Sequence, residues 1–179
     1  MTTKAGQRLL NLAIISAIAL STAALTVRAC AETTANLTVS AEINTSCTIS
    51  STDLSFGTYD GIVAHASQDL TDTATISTTC TNGSIVVITM GRGQYGRIDG
   101  PVFRQMKNEG SNSYLEYQIY SDAGHRNVWS NRWNRMKWTA RVSGTGFSQD
   151  RTVYGKVFKN QQDAAAGSYT DTVSIEVIY

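Results

Sequence analysis

Two histidines, a run of aspartates, three spaced glycines and a handful of cysteines are the residues in this 179-residue chain that enzymatic or metal chemistry would have to use. A serine hydrolase needs a histidine base held by a carboxylate. His65 and His125 are the two histidines, and neither stands in a nucleophile-elbow context, so both read as loop residues and no catalytic role is expected. Asp53, Asp60, Asp69 and Asp72 lie close together, but their spacing fits no EF-hand loop. Turn and strand-end roles are expected for them, with neither metal nor other cofactor.

Gly91, Gly93 and Gly96 form a literal G-x-G-x-x-G after a strand-like run. That spacing lets a turn approach a pyrophosphate seated on the N-terminus of the next helix. Here the next residues, 97–101, read Arg-Ile-Asp-Gly-Pro, and the glycine and proline forbid a useful helix. The three glycines are therefore expected to turn a loop between strands. Trp129, Trp133 and Trp138 sit among Arg126, Arg132, Arg135 and Lys137, a mixture suited to sugars, anionic polymers or nucleic acid. The competing reading, preferred here, is a strand and loop with Trp129 in the core. Surface binding through Trp133, Trp138, Arg132 and Arg135 stays open.

The elements that must carry these residues begin after a segment of different composition. Lys4 and Arg8 lead an apolar run that extends to about Val27, and Ala29-Cys30-Ala31 has the small residues of a cleavage site. Residues 1–31 thus read as a secretory signal peptide to be removed, not as a membrane anchor. Lipidation of Cys30 stays open, although Arg28 fits it poorly. Cleavage would leave 148 residues, enough for one core, with 12 basic against 14 acidic side chains. A net charge of −2 asks for no nucleic-acid partner, and no second apolar segment offers insertion into a membrane. Cys47 and Cys80 remain in a chain sent to an oxidising compartment and are expected to pair.

After residue 31 helical periodicity is nearly absent and period-two alternation recurs between Gly, Ser, Thr, Asn and Asp clusters, which predicts an all-β chain. Leu37, Val39, Ala41 and Ile43 alternate with Thr38, Ser40, Glu42 and Asn44. Strands follow at Cys47 and Ile49, along 70–80, 85–90, 102–107 and 114–120, and around Val153, Gly155 and Val157. A final strand over 169–179 would face Val173, Ile175, Val177 and Tyr179 inward. Seven or more short strands at this spacing suggest a β-sandwich. The alternating segment at 34–43 can pair within its own sheet or with a neighbour's.

In order along the chain, NTSCTI, LSFGTYDG, ISTTCTNG, GRGQYGR with FRQMKN, YLEYQIYSDAGHRNVW, VYGKV and AGSYTDTVSIEVIY resemble the spore coat protein U domain family, and within it the major subunits of archaic chaperone-usher pili. The resemblance implies an incomplete immunoglobulin-like β-sandwich, residues 45–179, that lacks its last strand and is completed by a donated one. Residues 32–44 match the position of the donor segment, with Ala35, Leu37, Val39, Ala41 and Ile43 as the side chains for successive pockets. The implied partners are neighbouring copies of the chain, a periplasmic chaperone and an outer-membrane usher. The implied product is a secreted surface pilus supporting adhesion and biofilm. A self-complete sandwich binding carbohydrate or matrix, and a spore-coat-like structural role, are the alternatives.

Overall fold

The computed structural model describes residues 30–97, 102–131 and 141–179. The chain divides into two units, Met1–Ala41 and Glu42–Tyr179. In the first, the described residues form no regular secondary structure, so the strand expected over 34–43 is absent from this structure. Nothing in that stretch pairs its backbone into a ladder, and a lone alternating segment has no reason to hold β geometry by itself. The signal-peptide reading falls almost wholly on residues outside those described, as do Trp133, Trp138, Arg132 and Arg135.

The second unit is all-β among the described residues. Its strands are β1 (Cys47–Ser51), β2 (Leu70–Cys80), β3 (Ile85–Met90), β4 (Arg104–Asn108), β5 (Tyr114–Tyr120), β6 (Arg141–Ser143), β7 (Ser148–Val157), β8 (Tyr169–Thr170) and β9 (Ile175–Ile178). Six of them form one sheet in the order β1-β2-β7-β5-β4-β8, and β6-β3-β9 form the other. Every pairing is antiparallel. The result is an immunoglobulin-like β-sandwich whose core lies between the sheets.

Alternation explains which faces pack. Along β2, Ala74, Ile76, Thr78 and Cys80 are buried while the residues between them are half-covered or exposed. They meet Val86, Ile88 and Met90 of β3 and Leu115, Tyr117 and Ile119 of β5. Three polar ties pin sheet to sheet. Trp129 donates its indole N–H to Ile88 O (2.8 Å) in the small sheet, while its backbone N–H donates to Ile119 O (2.9 Å) in the large one. Arg104, buried on β4, donates from Nε to Gly91 O (3.0 Å) beyond the end of β3. Tyr117 donates its hydroxyl to Asp171 Oδ2 (2.6 Å) where the chain passes between the sheets.

That passage corrects the reading of 169–179 as one strand. β8 pairs with β4 in the large sheet and β9 with β3 in the small one, and residues 171–174 carry the chain across. Tyr179, expected to face the core, is exposed beyond the end of β9. The strand expected over 102–107 is shifted to Arg104–Asn108, with Phe103 making only an isolated bridge to Arg97.

Cys47 and Cys80 form the expected disulfide, joining directly opposed residues of β1 and β2 across a separation of 33. Cys80 is buried in the core, so the bridge anchors the edge strand β1 to the packed part of the sheet. Cys47→Ser combined with Cys80→Ser is expected to lower stability by about 2 to 5 kcal/mol. The denaturant midpoint of the purified variant, compared with that of the disulfide-bonded parent chain, measures it. A loss below about 1 kcal/mol would mean that the β1–β2 ladder alone holds the edge.

Candidate functional site

The chemistry-bearing residues singled out in the sequence turn out to build loops. His65 accepts a hydrogen bond from Asp60 N–H at Nδ1 (3.0 Å) and stacks on Tyr59 with ring centroids 4.9 Å apart. His125 packs edge-on against Tyr120 and Tyr154. Asp60 caps a turn through the N–H groups of Ile62 and Val63 (both 3.0 Å), bonds that hold its carboxyl below the usual range. Asp69 pairs with Lys156 (3.4 Å) and accepts from Lys159 N–H. The G-x-G-x-x-G segment joins β3 to β4, as a loop between strands. Gly93 has φ +85°, and a Cβ added there would run into the Asp171 carboxylate, so the position requires glycine.

A different feature organises the domain: a groove with two open rims and an apolar floor. The first rim continues β1. Thr52 N–H donates to Thr75 O and Thr75 N–H to the Thr52 hydroxyl (both 2.9 Å), and then the chain departs from β2. Residues 53–59 form no strand. Leu54 and Phe56 turn inward onto Gly155 of β7, where a Cβ would come within 2.6 Å of Leu54 Cδ2 and 2.7 Å of Phe56 Cζ. Phe56 also meets Tyr117 edge-on at 6.3 Å.

The second rim is the crossing between β8 and β9. Asp171 fixes it, accepting from Tyr117 hydroxyl, from Gln94 N–H (2.7 Å) and from Thr172 N–H (2.9 Å). Burial, with the hydrogen bond to Asp171 adding to it, pushes the Tyr117 phenol well above its ordinary pKa, so it stays a neutral donor. Gly91 N–H donates to Ser174 O (2.8 Å), and β9 then runs along β3. Among the described residues β9 pairs with β3 alone and β1 with β2 alone, so each rim leaves backbone groups unpaired.

Between the rims lies a cavity of about 420 Å³ over Ala74, Ile76, Met90, Ile119 and Val153. It adjoins a second, of about 890 Å³, over Leu70, Leu115 and Val157, reaching Gly61 and Ile62 at its end. The two share Asp53, Leu54, Phe56, Met106 and Tyr169 in their walls. Val173, Ile175 and Val177 pack on the core yet stay partly exposed. The core is thus under-covered along one side.

The residues expected to fill pockets are displayed to solvent. Leu37 is 88%, Val39 85% and Ile43 85% exposed, and Ala35 and Ala41 are exposed as well. Sequence reasoning found this alternating segment and the bridge. It did not find Gly155, Asp171 or Arg104, whose importance lies in close approaches made between strands distant in the chain.

Comparison with known proteins gives four matches. The family model for the Spore Coat Protein U domain matches residues 33–176. The protein named Protein U of Myxococcus xanthus is 34% identical over 181 residues, covering 93% of this chain and 99% of its own length. Among solved structures, the CsuC-CsuE chaperone-tip adhesion subunit pre-assembly complex from archaic chaperone-usher Csu pili of Acinetobacter baumannii contains a chain of similar fold. Its TM-score is 0.50 at 20% identity, covering 76% of this chain and 40% of that one. The E. coli Hda pilus minor tip subunit, HdaB, is also similar, with a TM-score of 0.40 at 22% identity, over 73% of this chain and 80% of that one.

Proposed function

Because this chain belongs to the spore coat protein U domain family, we propose that it is a structural subunit of a surface fibre of pilus type, polymerised by donor-strand exchange. The observation that carries the reading is the groove: an apolar floor open between two rims with unpaired backbone, in a chain that also displays an alternating apolar segment at 34–43. In the polymer, residues 32–44 of one copy lie in the groove of the next. Leu37, Val39, Ala41 and Ile43 cover the floor and the backbone bonds the rims. Burying Leu37, Val39 and Ile43 contributes roughly 5 to 9 kcal/mol gross. Head-to-tail donation does not close on itself and so propagates into a fibre.

Before polymerisation the groove would expose core surface to water, so a periplasmic chaperone covers it and an outer-membrane usher exchanges that cover for the next subunit. The fibre then stands on the cell surface, in adhesion and biofilm. No catalysis is involved.

The test is a denaturing gel, with and without boiling, of the full chain expressed to the periplasm with its chaperone. A ladder of multimers that collapses to monomer on boiling is expected, and deletion of residues 32–44 should leave only chaperone-bound monomer. A single folded monomer that needs no chaperone would overturn the reading in favour of a self-complete binding module. Electron microscopy of the multimers separates thin fibres, expected here, from the layered material of a coat.

A further inference from the structure

The two ends of the sandwich carry exposed apolar side chains that lie outside the floor of the groove. The β2–β7 ladder runs from Thr79↔Ser148 at one end to Leu70↔Val157 at the other. At about 3.4 Å per residue the ends stand roughly 30 Å apart.

The first end is where the donor segment is rooted. Ser46 N–H donates to the Thr81 hydroxyl and Thr81 N–H to Ser46 O (both 2.9 Å). The Thr81 hydroxyl also lies 3.3 Å from Asn44 O, and the Cys47–Cys80 bridge follows at once. Phe147 and Ile85 project from this same end, 78% and 64% exposed. Phe147 directly precedes β7, where Gly146 N–H donates to Cys80 O (2.9 Å), and Ile85 opens β3 opposite Ser143.

The far end presents Ile62 and Val63, 69% and 75% exposed. Their turn is braced: Asp60 caps it, His65 closes it, and Asn160 N–H donates to His65 O (2.9 Å) just beyond the end of β7. A turn held this firmly aims its two aliphatic side chains at solvent in a fixed direction.

The tether decides what these patches meet. Four chain steps separate Ile43 from Cys47, a reach of at most about 14 Å, and the hydrogen bonds to Asn44 and Ser46 hold most of it down. A subunit whose donor is seated therefore brings its rooted end close to its neighbour's groove. β9 runs toward the rooted end, from Ile175 opposite Met90 to Ile178 opposite Val87. A donor pairing antiparallel to β9, like every other pair in the domain, runs toward the far end and leaves the groove there. Ile62 lines the groove at that exit.

We infer that, in the polymer, Ile62 and Val63 of one copy pack against Phe147 and Ile85 of the next, an end-to-end apolar contact that stiffens each joint. The inference rests on the donor-strand reading above. Four side chains bury far less than the roughly 1,200 Å² that a stable interface needs, so the patches do not associate by themselves. They meet only where the seated donor holds the two ends at high effective concentration.

The test uses the full chain carrying Val63→Cys and Phe147→Cys together, polymerised and treated with a short bismaleimide. Multimers that survive boiling in detergent are expected, while each single variant collapses to monomer on boiling as the parent does. A double-variant ladder that is present unboiled but collapses on boiling after treatment would mean that the ends do not meet, with donor exchange intact. Absence of any ladder in the parent chain would bring down the donor-strand reading and this inference with it. A second variant, Val63→Ser with Phe147→Ser, guards against cysteine artefacts. Its ladder should persist while the persistence length of the fibres falls several-fold in negative stain, and an unchanged persistence length would overturn the inference.

Discussion

Arg104→Ala is expected to lower the stability of the sandwich by about 3 to 5 kcal/mol. The guanidinium is fully buried on β4, and burial pulls its pKa down to about 10 against the pull of Tyr117 and Asp171, so it remains charged at neutral pH. It is satisfied mostly by carbonyls. Nη2 donates to Gly91 O and to Trp129 O (2.7 Å), Nε donates to Gly91 O, and Nη1 donates to the Gln118 side-chain oxygen. Removing the side chain orphans two buried carbonyls, each costing about 1 to 3 kcal/mol, and leaves a cavity between the sheets.

Arg104→Lys should recover only part of the loss. A single ammonium on a flexible stem cannot reproduce a planar fork spanning Gly91, Trp129 and Gln118. Denaturant unfolding of the purified chain, completed by a peptide of residues 33–44, measures both variants. A change below about 1 kcal/mol for Arg104→Ala would show that the Gly91 and Trp129 carbonyls find other donors.

What the sequence made legible was whatever is local and periodic. The alternation through Leu70, Ala74, Ile76 and Cys80 marks a strand with one buried face, and that strand is β2. Two cysteines in phase with buried positions paired as expected. Gly91, Gly93 and Gly96 were expected in a loop, and residues 91–96 form neither helix nor strand.

The illegible parts depend on what the chain does at a distance. Period-two alternation persists through 169–179 although the backbone changes sheets at Asp171, because both β8 and β9 face the same core and so demand the same pattern. Arg104 carries no local signal of burial, since nothing nearby in sequence announces the carbonyls of Gly91 and Trp129 that receive it. The groove itself is a gap between residues 53–59 and β9. An absent partner leaves no residues to read, so only the family resemblance suggested it.

Val39→Asp should abolish the boiling-sensitive ladder altogether, whereas Thr38→Asp and Ser40→Asp should leave it in place. Side chains of an extended segment alternate faces, so Leu37, Val39, Ala41 and Ile43 enter a groove together or not at all. Val39 stands in the middle of that set. Substituting aspartate forfeits about 1.5 kcal/mol or more of apolar burial and sets a carboxylate over a floor of Ala74, Ile76, Met90 and Val153, where its desolvation costs several kcal/mol more. Shifting register by one residue offers no escape, because it would place Thr38, Ser40 and Glu42 over the same floor. The two flanking substitutions are as acidic as the central one but, in a donated strand, would point away from the groove, so they separate burial from net charge. Equal loss of the ladder in all three variants would assign the effect to charge or export, and an intact ladder in Val39→Asp would mean that residue 39 does not face the groove.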